Sequence, residues 1–127
     1  MLKKIILITL LFGIALSMEK QKVVLITGTA LGIGKSTAEY LIDKGHIVYG
    51  GDILIEENLY LNNIGGTALE MDVTNQNHID IAITKIISEH GRIDVLVNNA
   101  GLGVYGAIED VSMEDIYYQY DVNLFGL

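Results

Sequence analysis

Three glycines, Gly28, Gly32 and Gly34, carry the clearest chemical signal in this chain. They follow Val23-Val24-Leu25-Ile26, an apolar β-branched run, and precede Lys35 to Ile42, which reads as helix. A buried strand that turns through glycines into a helix N-terminus is a phosphate-binding device. The first helical turn has N–H groups without partners and a partial positive charge. Glycine lets the backbone turn sharply and lets a phosphate approach closely. Asp52 lies about 20 residues on, where a carboxylate accepts hydrogen bonds from the hydroxyls of an adenosine ribose. A carboxylate there repels a 2′-phosphate, so it favours NAD over NADP, and Leu31 brings no positive charge to offset it. A rival reading takes Gly34-Lys35-Ser36 as the end of a G-x-x-x-x-G-K-[ST] loop for ATP or GTP. It fails on spacing, because Thr29 stands where the first glycine is needed.

These residues need elements to hold them. The pattern predicts a first strand over Val23 to Thr27 and a helix over Gly32 to Lys44, stopped by Gly45. Ile33, Thr37, Ala38, Leu41 and Ile42 form its expected inward stripe. A second strand runs from Ile47 to Gly51 and ends at Asp52; a short helix or irregular crossover follows over Ile53 to Asn63. Thr67 to Met71 is a third strand. Asp72-Val73-Thr74-Asn75 is a turn, with Thr74 or Asn75 as a helix cap. The spacing predicts a helix over Asn75 to His90, with Ile79, Ala82, Ile83, Ile86 and Ile87 on one apolar face and Gly91 as its stop. Ile93 to Val97 is a fourth strand, followed by Asn98-Asn99-Ala100-Gly101 and a loop to Asp110. Ser112 caps a last helix. Strands alternating with helices imply right-handed βαβ units and a parallel sheet, an α/β fold of the Rossmann-type doubly wound kind. With 127 residues there is room for about four strands, one half of such a fold and the start of the next.

Composition narrows the function classes. The net charge is −8, without basic runs, which argues against nucleic acid as a partner. There is no cysteine, hence no thiol chemistry and no disulfide framework. His46, His78 and His90 are scattered without metal-ligand spacing and read as surface or helix-end residues. Residues 1–17 form a hydrophobic leader: Lys3-Lys4, then a nearly continuous apolar run from Ile5 to Leu16. Three readings compete for it. It resembles a signal peptide, with Ala15-Leu16-Ser17 as the cleavage site. It is short for a membrane anchor, which needs ~20 residues. The favoured reading is an upstream extension, with Met18 as the working start of a cytoplasmic protein and 18–127 as a partial dinucleotide-binding domain.

The motifs together resemble one family. Thr27 to Gly34 is similar to the TGxxxGxG cofactor motif of the classical short-chain dehydrogenases/reductases, and Asn98-Asn99-Ala100-Gly101 to that family's NNAG motif. Asp72-Val73 matches the position that contacts the adenine ring, and Val122 to Gly126 resembles the helix segment carrying the family's catalytic asparagine. The resemblance runs from about Lys22 to Leu127. It implies that Gly28, Gly32, Ile33 and Gly34 cradle the pyrophosphate and that Asp52 holds the ribose. It places Asp72 and Val73 at the adenine, and Asn99, Ala100 and Gly101 along the cofactor cleft. Asn98 would tie neighbouring strands together, and Asn123 would hold a water in a proton relay. The implied activity is hydride transfer between NAD(H) and an alcohol/carbonyl substrate, with a homo-oligomer built partly on the last helix.

In that family a serine and a Tyr-x-x-x-Lys pair follow the asparagine helix, and neither occurs here before Leu127. A free tyrosine near pKa 10 is too weak a base at neutral pH, so the lysine matters. Tyr40 and Lys44 have the spacing but sit on the helix after the glycine loop, where any i, i+4 pair shares a face. Tyr117, Tyr118 and Tyr120 have no lysine after them and read as packing and surface residues. The expectation is a cofactor-binding half that does not turn over alone. Two alternatives stand beside it: a non-catalytic gene fragment with residual dinucleotide binding, and a membrane-anchored reductase piece. A chain of this span leaves the fourth strand at the sheet edge. The substrate, whether hydroxysteroid, sugar, short-chain alcohol or acyl-carrier thioester, is not legible.

Overall fold

Strand β1, Val23–Thr27, is buried along its whole length and carries the sheet. The structure, a computed structural model, describes residues 20–127, so the leader lies outside the described residues. β1 pairs in parallel with β2 (Ile47–Asp52) on one side and β4 (Val95–Val97) on the other. β3 (Thr67–Glu70) pairs with the far side of β2, giving the order β3-β2-β1-β4. This is one half of a doubly wound Rossmann sheet, as the alternation of elements implies. β4 stands at the sheet edge among the described residues, with Leu96 half-exposed.

Successive side chains of β1 point to opposite faces, and each face has its own core. Val23 and Leu25 join Tyr49, Leu69 and Met71 beneath α4 (Gln76–His90), which contributes Ala82 and Ile86. Val24 and Ile26 join Val48, Ala38 of α1 (Gly32–Asp43) and Leu61. The crossover from β2 to β3 is two short helices, α2 (Ile55–Asn58) and α3 (Tyr60–Asn63). Gly45, at φ +83°, follows the end of α1, and Gly91, at φ +70°, ends α4 in the left-handed conformation that favours glycine. Asn75 caps α4, its Oδ1 accepting from the N–H of Asn77 and His78; Thr74 instead donates to Asp72. Ser112 caps α5 (Met113–Tyr120), its hydroxyl accepting from Asp115 N–H, and a π-helical turn continues over Asp121–Phe125. No described helix is long and apolar enough to cross a membrane.

Two apolar stripes are narrower than their periodicity implies. In α1, Ile33 is 80% exposed, and Gly34 and Ala38 face the sheet instead. A glycine lets the helix approach β1 so closely that Gly34 occupies the inward position that Ile33 was expected to share. In α4, Ile86 is fully buried while Ile83 and Ile87 are exposed. The helix meets the sheet through Ile79, Ala82 and Ile86, and the other two isoleucines lie round its flank. Ile86→Ala should therefore lower unfolding stability by about 2–5 kcal/mol. Ile83→Ala should change it by about 1 kcal/mol or less, by urea denaturation.

At the far end of α4 the Tyr49 hydroxyl donates to the Glu89 carboxylate and lies 2.8 Å from His90 Nε2. Burial, and then the bonded Glu89 charge, push the Tyr49 phenol up to about 12. Lys85, followed by the tyrosine hydroxyl, holds Glu89 below the usual carboxylate value. The folded-state value of Tyr49 is above that of a free phenol, near 10. Its contribution is complete below about pH 10 and is lost as pH rises toward 12. Tyr49→Phe should flatten the fall in unfolding stability across that window, measured by urea denaturation at each pH.

Candidate active site

The glycine loop is locked to the turn after β4. Gly28 N–H donates to Gly51 O at 2.7 Å, so the loop leaves β1 in register with the end of β2. The Thr27 hydroxyl accepts from the N–H of Asn99 and Ala100, at 3.0 and 2.9 Å. The Asn99 side-chain amide donates to the carbonyls of Thr27 and Gly28, both at 2.9 Å. The strand tie expected of Asn98 is thus made by Asn99; Asn98 is exposed. Both lie past the end of β4, and the turn there brings Asn99 against the end of β1.

Two of the three glycines are packing glycines. A Cβ on Gly34 would lie 2.0 Å from Gly28 O and 2.4 Å from Asn99 Nδ2, and one on Gly28 would lie 2.8 Å from Ala100 Cα. Gly32 differs: its φ is +59° and nothing lies within 4 Å of the Cβ position. It faces open space. The first backbone bond of α1 is donated by Lys35 N–H to Leu31 O, and no side chain caps this N-terminus. The N–H groups of Gly32, Ile33 and Gly34 therefore have no intrahelical acceptor, and the helix dipole adds positive charge there.

Of these three residues Ile33 lines a cleft of about 400 Å³ at the C-terminal ends of the strands; Gly32 and Gly34 are not in its lining. Gly28, Ile33, Asp52, Asp72, Val73, Asn99, Ala100 and Gly101 all line it, so the structure brings together most of the residues singled out from the sequence. Exposed Ile33 is one wall of this cleft. Asp52 sits where β2 ends, between the N–H of Ala30, 2.8 Å from Oδ2, and that of Leu54, 2.9 Å from Oδ1. Asp72 is turned inward on its own turn, accepting from Thr74 N–H and hydroxyl, while its N–H donates to His78 Nδ1. Asn123 is placed differently from a free relay side chain. Its Oδ1 accepts from Leu102 N–H at 2.9 Å and its Nδ2 donates to Leu102 O at 2.7 Å. It clamps the post-β4 loop to the π-helical turn.

Sequence reasoning missed Thr27, which carries half of the strand-to-turn lock, and Tyr118, which lines the cleft. The Tyr40/Lys44 pair lies elsewhere, with Lys44 Nζ 5.2 Å from the Tyr40 ring centroid on the exposed side of α1. Among the described residues no cluster of histidine and acidic side chains could hold a metal ion.

Comparison with known proteins agrees with this geometry. The sequence profile of the short chain dehydrogenases matches residues 22–127. The chain is 43% identical over 106 residues to 3-ketodihydrosphingosine reductase of Bacteroides thetaiotaomicron, covering 84% of this chain and 38% of that protein. It superposes with a TM-score of 0.78 on the 3-ketoacyl-(acyl-carrier-protein) reductase of Brucella melitensis complexed with NADH, at 31% identity, covering 83% of this chain and 45% of that one. The ligand-free aldohexose dehydrogenase of Thermoplasma acidophilum gives 0.72 at 40% identity, covering 84% and 40%. The chain belongs to the short-chain dehydrogenase/reductase family of oxidoreductases. It spans less than half the length of these relatives.

Gly34→Ala should cost at least about 3 kcal/mol of unfolding stability, because the new methyl group meets a backbone carbonyl and the Asn99 amide. Gly32→Ala has room and should cost only the left-handed strain, about 1–2 kcal/mol. Urea unfolding of the two variants measures the difference.

Proposed function

We propose that these residues form the cofactor-binding half of an NAD-preferring oxidoreductase acting on an alcohol/carbonyl pair. The observation that carries this reading is the set of N–H groups at Gly32, Ile33 and Gly34 without helical acceptors, beside a cleft that Ile33 and the Asp52 carboxylate both line. A diphosphate fits the N–H groups and a ribose diol the carboxylate. Gly32 is exposed, and the space a Cβ would fill there is open, so its N–H can be approached from outside the helix. Asp72 and Val73 line the same cleft and on this reading border the adenine, and Asn99, Ala100 and Gly101 line it too.

When bound, the nicotinamide supplies the hydride acceptor or donor. The protein's part is placement, charge and exclusion of water. Asp52 favours NAD because both its oxygens are held by backbone N–H groups, so it does not swing away from an incoming 2′-phosphate. The amide of Asn123 keeps the post-β4 loop against the π-helical turn, a positioning task carried by one bond from each end of the amide. The part proposed for these residues is to bind and orient the cofactor.

The 127-residue chain should quench or shift NADH fluorescence on binding and show no NAD-dependent alcohol oxidation above background. NADPH should bind about tenfold more weakly or worse, and Asp52→Asn should narrow that gap. Equal affinity for the two cofactors in the parent chain contradicts the NAD preference.

A further inference from the structure

Behind the glycine loop lies a polar chain that neither the cofactor cleft nor apolar packing explains. Thr29 and Asn58 are fully buried. The Thr29 hydroxyl donates to Asn58 Oδ1 at 2.8 Å, and Asn58 Nδ2 donates to Gly50 O at 2.8 Å. From the next helix, the Tyr60 hydroxyl donates to the Thr29 main-chain carbonyl at 3.0 Å. Lys35 Nζ sits over the Tyr60 ring, 4.3 Å from its centroid. Both the side chain and the main chain of Thr29 are therefore held from the crossover helices α2 and α3. Gly50 makes the room: a Cβ there would lie 2.4 Å from the Thr29 hydroxyl oxygen.

The cleft side of the same loop is loosely held. Leu31 has no capping side chain and Gly32 faces open space. From other elements, the polar restraints on Thr29 to Leu31 are this buried chain and the bond from Ala30 N–H to Asp52. Asp52 has its own anchors, the β2 ladder and Leu54 N–H. Asp52 is thus set by β2, while the loop into α1 is held at its start by Asn99 and further along by the partners of Thr29.

We propose that Thr29, Asn58 and Tyr60 are positioning residues that fix, from behind, the direction of the N–H groups that receive the diphosphate. The proposal rests on the cofactor reading above. It makes the β2–β3 crossover, which touches no ligand through these side chains, a determinant of diphosphate affinity.

The test is calorimetric titration of the full 127-residue chain with ADP and with adenosine, which differ by the diphosphate. Thr29→Val keeps the side-chain shape but leaves buried Asn58 without its donor. It should weaken ADP by about tenfold and leave adenosine within about twofold, and Thr29→Ser should restore ADP binding. Tyr60→Phe keeps the ring under Lys35 and removes the hydroxyl's bond to the Thr29 carbonyl together with its longer, 3.5 Å bond to the Lys35 carbonyl. It should shift the ADP-to-adenosine ratio in the same direction and carries the test if Thr29→Val does not fold. A parent chain that binds ADP, with variants that keep its ratio or lose both ligands equally, overturns the positioning role. A parent chain that binds neither ligand overturns the cofactor reading, and this proposal with it.

Discussion

The close approach of α1 to the end of β1 is the constraint on which the rest depends. Gly34 touches the Gly28 carbonyl so nearly that no side chain fits between them. The Asn99 amide sits against the same spot, donating to Thr27 and Gly28. This contact fixes the angle at which the helix leaves the sheet. It thereby sets where the first turn of α1 stands against the sheet, with Ile33 on the cleft wall. It also couples the β1 turn to the β4 turn, so these two walls of the cleft are built as one piece. Buried amides and hydroxyls of this kind are stable only when fully paired. Among the described residues, no buried side-chain nitrogen or oxygen lacks a partner.

The sheet topology follows from the same economy of connections. β1 is central because its residues serve both cores, odd-numbered positions under α4 and even-numbered ones under α1. Its neighbours on either side bring Asp52 and Asn99 to the same end of the sheet, one from β2 and one from beyond β4. Parallel pairing puts every strand's C-terminal end at that edge, which is why cleft residues come from such distant parts of the chain. The polar chain from Thr29 through Asn58 to Gly50 then ties the crossover to this end of the sheet.

Much of this was legible in the sequence. The extents of β1 and β2, the glycine stops of α1 and α4 and the Asn75 and Ser112 caps follow from local chemistry, because each depends on a residue's own conformational preference. What depended on approach between elements was not legible. Ile33 carries an apolar side chain at a helical position that looks inward, yet the neighbouring glycine takes that role and leaves Ile33 on the cleft wall. Ile83 and Ile87 belong to a periodic stripe whose flank the sheet does not reach. Asn98 and Asn99 are identical in type, and only the direction of the turn separates the exposed one from the lock. Asn58 gave no signal at all, since a buried polar partner is defined by a carbonyl on another element.

The central claim is that the N–H groups at the start of α1 receive the cofactor's diphosphate. The most direct measurement is amide NMR of the isotopically labelled 127-residue chain during titration with NAD. The largest shifts should fall at Gly32, Ile33 and Gly34, accompanied by shifts at Asn99 to Gly101 and little change along α4. Binding that leaves the Gly32 to Gly34 amides unmoved, or shifts confined to the α4 side of the sheet, would contradict it.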